Sequence, residues 1–242
     1  MRLLIRFHPK ENAFKVPYNH QYSLQGLIYS RMKLGNPGTA HLLAEKRLPH
    51  LFTYSLFLTK ERQTLRGRDY FIGRESAEVI FSTPILEIGE ALLNGLEKFP
   101  KVRLWGEKFM TEVKELKEPA SFDGKKFSTL SPIAITVKKT INGRERTVDL
   151  GPDDGEFFEK LNQNLLWKAS LLGRSARGTI ELEILRKRSK RFEVKPGIFQ
   201  VAWHLVFRAH GDEELLRIGY QAGFGEKNTI GFGAVKIIKE KH

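Results

Sequence analysis

The sequence predicts an α+β chain built as two tandem ferredoxin-like (βαββαβ, RRM-like) domains, at 1–118 and 125–242. Three observations carry that prediction. A strand–helix–strand–strand–helix–strand order reads from Leu3 to Leu116, and the same order begins again at Ile133. Between the two lies Glu118-Pro119-Ala120-Ser121-Phe122-Asp123-Gly124, whose composition is that of a linker. Near the C-terminus, two Gly-Phe-Gly triplets bracket Glu226 to Ile230 in a loop between a short helix and a last strand.

In the first half, Leu3–Phe7 reads as a strand. Asn19–Lys33 is a helix with Leu24, Leu27, Ile28 and Met32 on one stripe. Gln25, Tyr29 and Lys33 fall at i, i+4, i+8 on a different, polar stripe. Gly35-Asn36-Pro37-Gly38 ends that helix, and Thr39–Arg47 can form another. Leu51–Phe57 and Ala77–Ser82 read as strands. Thr83 and Pro84 offer an N-cap and an N1 proline for a helix reaching Phe99, with Ile85, Ile88, Leu92, Leu96 and Phe99 on one face. Val102–Trp105 and Phe109–Leu116 close the first domain as strands.

The second half repeats the plan. Ile133–Lys138 reads as a strand, and Asp154–Leu172 as a helix burying Phe158, Leu161, Leu165, Ala169 and Leu172. Thr179–Leu185 and Phe199–Arg208 are strands. Asp212–Tyr220 is a short helix with acidic residues in its first turn, and Ala234–Lys239 is the final strand.

The loop of Gly223, Gly225, Gly231 and Gly233 lies between helix and strand, the reverse of a dinucleotide-binding order, and lacks the Lys-Ser or Lys-Thr of a P-loop. Its glycines permit φ > 0 and close backbone approach, and its N–H groups could form a concavity for a phosphate. The simpler alternative is a tight turn with two packed Phe residues.

Net charge of +13 with 11% aromatic residues favours a polyanionic partner, most often nucleic acid. The absence of cysteine excludes disulfides, thiolate metal sites and Cys nucleophiles. No apolar run is long enough to span a membrane, and the first residues do not form a signal peptide, so a cytoplasmic protein without membrane partners is expected. The seven histidines show no metal-ligand spacing, so neither a metal nor another cofactor is expected.

Arg186-Lys187-Arg188-Ser189-Lys190-Arg191 places five cations between two strands and reads as a basic hairpin tip, with Arg174 and Arg177 in a flexible loop just before the first of those strands. These, with Lys227 and Asn228 of the glycine loop, are the candidate phosphate contacts, which position RNA without reading its sequence. Catalysis without metal on RNA would use a 2′-hydroxyl attacking its own 3′-phosphate, with a base, an acid and a cation. Tyr29, His41 and His50 are the candidates for that work, each also readable as a structural residue.

These features together resemble the CRISPR-associated repeat-processing endoribonucleases of the RAMP superfamily. The residues that carry the likeness are the GhG-x5-GhG loop, the doubled ferredoxin-like order, Met1-Arg2-Leu3-Leu4-Ile5-Arg6 and Leu24-Gln25-Gly26-Leu27-Ile28-Tyr29. The resemblance implies binding to the repeat RNA of a CRISPR precursor transcript, and for most members a metal-independent cut that leaves a 2′,3′-cyclic phosphate. It also raises a homodimer and a CRISPR effector complex as partners. The family's Tyr at the end of the first helix is matched by Tyr29. Its general acid–base His falls on Ala44 and its Lys on His50, while His41 lies about one turn before Ala44. The resemblance therefore implies an RNA-binding member with weak or absent cleavage. The alternatives are an active enzyme using Tyr29 with His41 or His50, and a generic RNA-binding module.

Overall fold

The computed structural model describes residues 1–195 and 197–238; residue 196, the end of the predicted last strand at Lys239 and residues 240–242 lie outside it. The chain divides into two compact units, Met1–Glu118 and Pro119–His242.

The first unit contains β1 (Arg2–Pro9), β2 (Ala13–Pro17), α1 (Gln21–Gly35), α2 (Pro37–Ala44), β3 (Thr53–Tyr54), β4 (Leu58–Thr64), β5 (Tyr70–Ser82), α3 (Leu86–Lys98), β6 (Lys101–Leu104) and β7 (Glu107–Glu115). Strand β5 pairs with β4 and β1, and β1 pairs with β7, all antiparallel. That gives the second–third–first–fourth strand order of a ferredoxin-like sheet. Leu3, Ile5 and Phe7 alternate into the core from β1, because side chains two apart share a face. Leu24, Ile28 and Met32 bury the predicted stripe of α1. Helix α1 packs on α3 at backbone range. A Cβ on Gly35 would lie 1.9 Å from the Ala91 carbonyl oxygen, and one on Gly95 would lie 1.8 Å from that of Arg31. This contact fixes α1, and with it Tyr29.

Several elements differ from the sequence reading. Leu51–Phe57 is strand only at Thr53–Tyr54, while β2 and the polar segment β4 pair with β5. Thr83 is not the N-cap of α3. Its hydroxyl instead donates to the Leu51 carbonyl (2.7 Å) and accepts from the Ile85 N–H (3.1 Å), so the helix starts after Ile85. Asn36 does cap α2, accepting from the Thr39 N–H at 3.2 Å, and Pro37 keeps Asn36 extended.

The second unit contains β8 (Lys126–Thr129), β9 (Thr136–Ile141), β10 (Arg144–Asp149), α4 (Glu156–Leu171), β11 (Ile180–Lys195), β12 (Ile198–Gly211), α5 (Glu213–Ala222) and β13 (Val235–Ile237). Its sheet order is β11-β12-β8-β13, again second–third–first–fourth. The first strand is β8 rather than Ile133–Lys138. Ile133 makes only a bridge to Trp203, and Thr136 onward forms a separate hairpin with β10. The linker segment is tied down, since Phe122 is fully buried and the N–H groups of Phe122 and Asp123 donate to Glu213.

Strand β11 corrects the basic hairpin tip. Arg186–Arg191 lies within the strand, paired with Val206–Val201 of β12, and the chain reverses between Lys195 and Ile198, where Gly197 has φ +75. A bulge between Ile184 and Arg186 separates the half-buried part of the strand from this exposed ribbon, so the cations can continue a strand without entering the core. Among the described residues, no helix is long and apolar enough to cross a membrane.

Candidate functional site

Tyr29 leaves the outer side of α1 and stands edge-on to Phe52, 5.6 Å between ring centres. The segment after α2 brings His50 to it. The His50 Nε2–H donates to the Leu43 carbonyl oxygen at 2.7 Å, which leaves Nδ1 as acceptor for the Tyr29 hydroxyl at 3.0 Å. Both ring nitrogens of this histidine are engaged. Burial raises the Tyr29 pKa, so the phenol keeps its proton and acts as a donor rather than a base.

His41 is not part of this pair. It is exposed on α2, with Nε2 3.1 Å from the Glu45 carboxylate one turn on. Ala44 ends α2 and is exposed, next in the chain to the Leu43 carbonyl that holds His50. The structure thus joins two of the three catalytic candidates and leaves the third apart from them, beside Glu45. Among the described residues, no group of three His, Asp or Glu side chains is arranged to hold a metal.

The glycine loop is packed rather than open. Phe224 and Phe232 are buried, and Gly223, Gly225, Gly231 and Gly233 all have positive φ. A Cβ on Gly233 would lie 2.1 Å from the Phe224 carbonyl oxygen. The N–H groups of Phe224, Glu226, Ile230, Gly231 and Gly233 all donate to protein carbonyls, so they do not form the phosphate cradle that their spacing allowed. Asn228 is buried inside the loop, its amide donating to the Phe232 carbonyl at 3.0 Å, and Lys227 bonds to Gln200.

Sequence reading missed the residue that holds this loop. Lys168 occupies the inner face of α4, where Phe157 rather than Phe158 is also buried. Its ammonium donates to the carbonyls of Gly223 and Gly225, both at 2.7 Å. Burial pushes its pKa down from 10.5 to about 7, against the attraction of Glu226. Between about pH 7 and 10.5 the unfolded chain binds the extra proton, so stability should rise with pH across that window. Lys168→Met should abolish that rise and, above about pH 7, lower the melting temperature, because two buried carbonyls lose their donor at roughly 1–3 kcal/mol each. Thermal melts of both proteins from pH 6.5 upward would check this.

The cations of β11 gather at a second place. Arg186, Lys187 and Arg188 line a pocket of about 480 Å³ with Ser128, Thr129 and His204. Burial, and then Lys190 and Arg188, lower the His204 pKa to about 4, so its ring is neutral. Nδ1 of that ring lies 3.4 Å from the Thr129 hydroxyl. Lys187 also pairs with Asp153, and the Arg191 guanidinium lies 3.9 Å from the centre of the Phe199 ring. Arg174 is paired with Glu214 at 2.7 Å, and Arg177 is exposed. His204 carried no sequence signal beyond its place in a strand.

A doubled ferredoxin-like chain with a packed GhG-x5-GhG loop and a basic strand defines a protein of the RAMP type. Residues 15–117 match the family described as CRISPR-associated protein Cas6, N-terminal, and residues 115–237 match CRISPR associated protein Cas6, C-terminal. The chain belongs to the Cas6 family. It is 49% identical over 241 residues to the CRISPR-associated endoribonuclease Cas6 of Pyrococcus furiosus, covering 98% of this chain and 90% of that one. It is 33% identical to the CRISPR-associated endoribonuclease Cas6 1 of Methanocaldococcus jannaschii, covering 96% and 91%. Among solved structures, a RAMP protein described as binding different RNA substrates superposes with a TM-score of 0.87 at 29% identity, covering 99% of this chain and all of the other.

Proposed function

We propose that this chain binds the repeat RNA of a CRISPR precursor transcript and cuts it slowly or not at all. The observation that carries the reading is the closed Tyr29–His50 pair beside Ala44. Cleavage needs a base for the 2′-hydroxyl, and such a base must come within hydrogen-bond reach. Tyr29 is a protonated donor, both His50 nitrogens are occupied, His41 stands outside the pair on the exposed side of α2, and Ala44 has no proton-transfer group. RNA binding is supported by the family, by the +13 charge and by the cations of β11 around the His204 pocket.

The 3.0 Å contact favours one alternative. If RNA displaced the Tyr29 hydroxyl from Nδ1, His50 would become the base of a metal-independent endoribonuclease leaving a 2′,3′-cyclic phosphate. In that case His50→Ala would abolish a rapid cut.

Binding is tested by salt. Affinity for single-stranded repeat RNA should fall with a log–log slope of about −0.7 per phosphate neutralised. Replacing Arg186, Arg188 and Arg191 together with Ala should flatten that slope. An unchanged slope would remove β11 from the interface.

A further inference from the structure

We infer that the first unit carries a nucleotide subsite of its own, formed by β1, β6 and β7 around Met110, which takes one base and its phosphates from a single-stranded stretch of the bound RNA. The inference rests on the RNA-binding reading and adds a place of contact that the β11 cations do not supply.

Met110 is an exposed apolar side chain of β7, 44% accessible. Strand register surrounds it with basic side chains. His8 of β1 and Lys101 of β6 are both directly opposite Met110, one on each side. Lys108 precedes it by two residues on the same face of β7, and Arg103 is opposite Lys108. Together with Pro9, Lys10, Val102 and Phe109 these residues enclose a pocket of about 520 Å³, a size suited to a small ligand or a single nucleotide.

The charge balance selects the occupant. On the neighbouring part of the face, Glu112 is engaged by Arg6 at 3.8 Å and His8 at 3.3 Å, and Glu78 is bound by Arg6 at 3.0 Å. Among the described residues, Lys101, Arg103 and Lys108 have no carboxylate partner. The arrangement is therefore an apolar platform inside a rim of unpaired cations. A nucleotide matches it, because its base offers a flat face to the thioether and its phosphates meet the rim. An acidic protein segment would place charge on the rim but has less to set on the platform.

Repeat RNA carrying 4-thiouridine at single positions tests the inference by photo-crosslinking to the whole protein, followed by peptide mapping. The expected result is a crosslink to the segment 101–110 from one or two neighbouring positions. Met110→Ala should weaken binding about two- to tenfold, and that loss should vanish when the crosslinked nucleotide is made abasic. Lys101→Ala with Lys108→Ala should reduce the salt slope by about 0.7 for each phosphate that is no longer neutralised. These side chains are exposed, so the variants should keep the wild-type melting temperature. RNA that binds with wild-type affinity to both variants, with no crosslink in the segment, would overturn the subsite and leave the RNA-binding reading intact. Wild-type protein that fails to bind RNA at all would overturn both. A Met110→Ala loss that persists with the abasic RNA would also overturn it, since the base would not be what the platform holds.

Discussion

Ala44→His is expected to raise the single-turnover cleavage rate of repeat RNA by about 10²- to 10⁴-fold, the usual contribution of a placed general base. Ala44 is the exposed last residue of α2, so an imidazole there meets solvent and substrate rather than the core. It would supply the one group the site lacks, a side chain with an uncommitted nitrogen beside Tyr29 and His50. Adding His50→Lys should raise the rate further. That change frees the Tyr29 hydroxyl from Nδ1 and brings a permanent cation toward the charge that develops on the phosphate. The cost in stability should be small, within about 0.7 kcal/mol, because the change is at an exposed helix end. Single-turnover assays with radiolabelled RNA would measure the rate. A variant no faster than the parent would mean that Ala44 does not face the scissile phosphate.

Gly225→Val should be among the more damaging single substitutions in the second unit. Gly225 has φ +74, and a Cβ there would lie 2.5 Å from the Ala134 carbonyl oxygen and 3.0 Å from an Ile133 methyl. Backbone strain of ~1–3 kcal/mol and overpacking of ~1–3 kcal/mol add. The sum is a large share of the ~5–15 kcal/mol that holds a typical domain together. Circular dichroism melts should show a fall in melting temperature of more than about 10 °C. RNA affinity should fall in step with the folded fraction, because the loop is a packed part of the core. Lost affinity at an unchanged melting temperature would show instead that the loop touches RNA directly.

What the sequence made legible was whatever leaves a periodic apolar trace. The stripe of Leu24, Ile28 and Met32 located α1, and the polar stripe singled out Tyr29. The break at Gly35-Asn36-Pro37-Gly38 and the paired Gly-Phe-Gly triplets were equally readable, since each has a fixed chemical cause. Strands β4 and β10 were not, because sequences such as Leu58–Thr64 are mostly exposed and polar and carry no apolar alternation. Lys168 was invisible for the opposite reason. A lysine reads as solvated, and only the two glycine-loop carbonyls show why it is buried. The Tyr29–His50 contact likewise depends on the chain after α2 folding back on the Leu43 carbonyl, which no spacing rule records.

Slow or absent cutting requires that the Tyr29–His50 pair stay closed and that the site have no working base. The most direct test is a single-turnover assay of the unmodified protein with its own repeat RNA in EDTA, with binding and product followed in the same samples. The expected result is RNA fully bound and cut no faster than a slow trace, with the rate restored by Ala44→His. Rapid cutting by the unmodified protein that disappears in His50→Ala or in His41→Ala would contradict the claim and assign the proton transfer to that histidine.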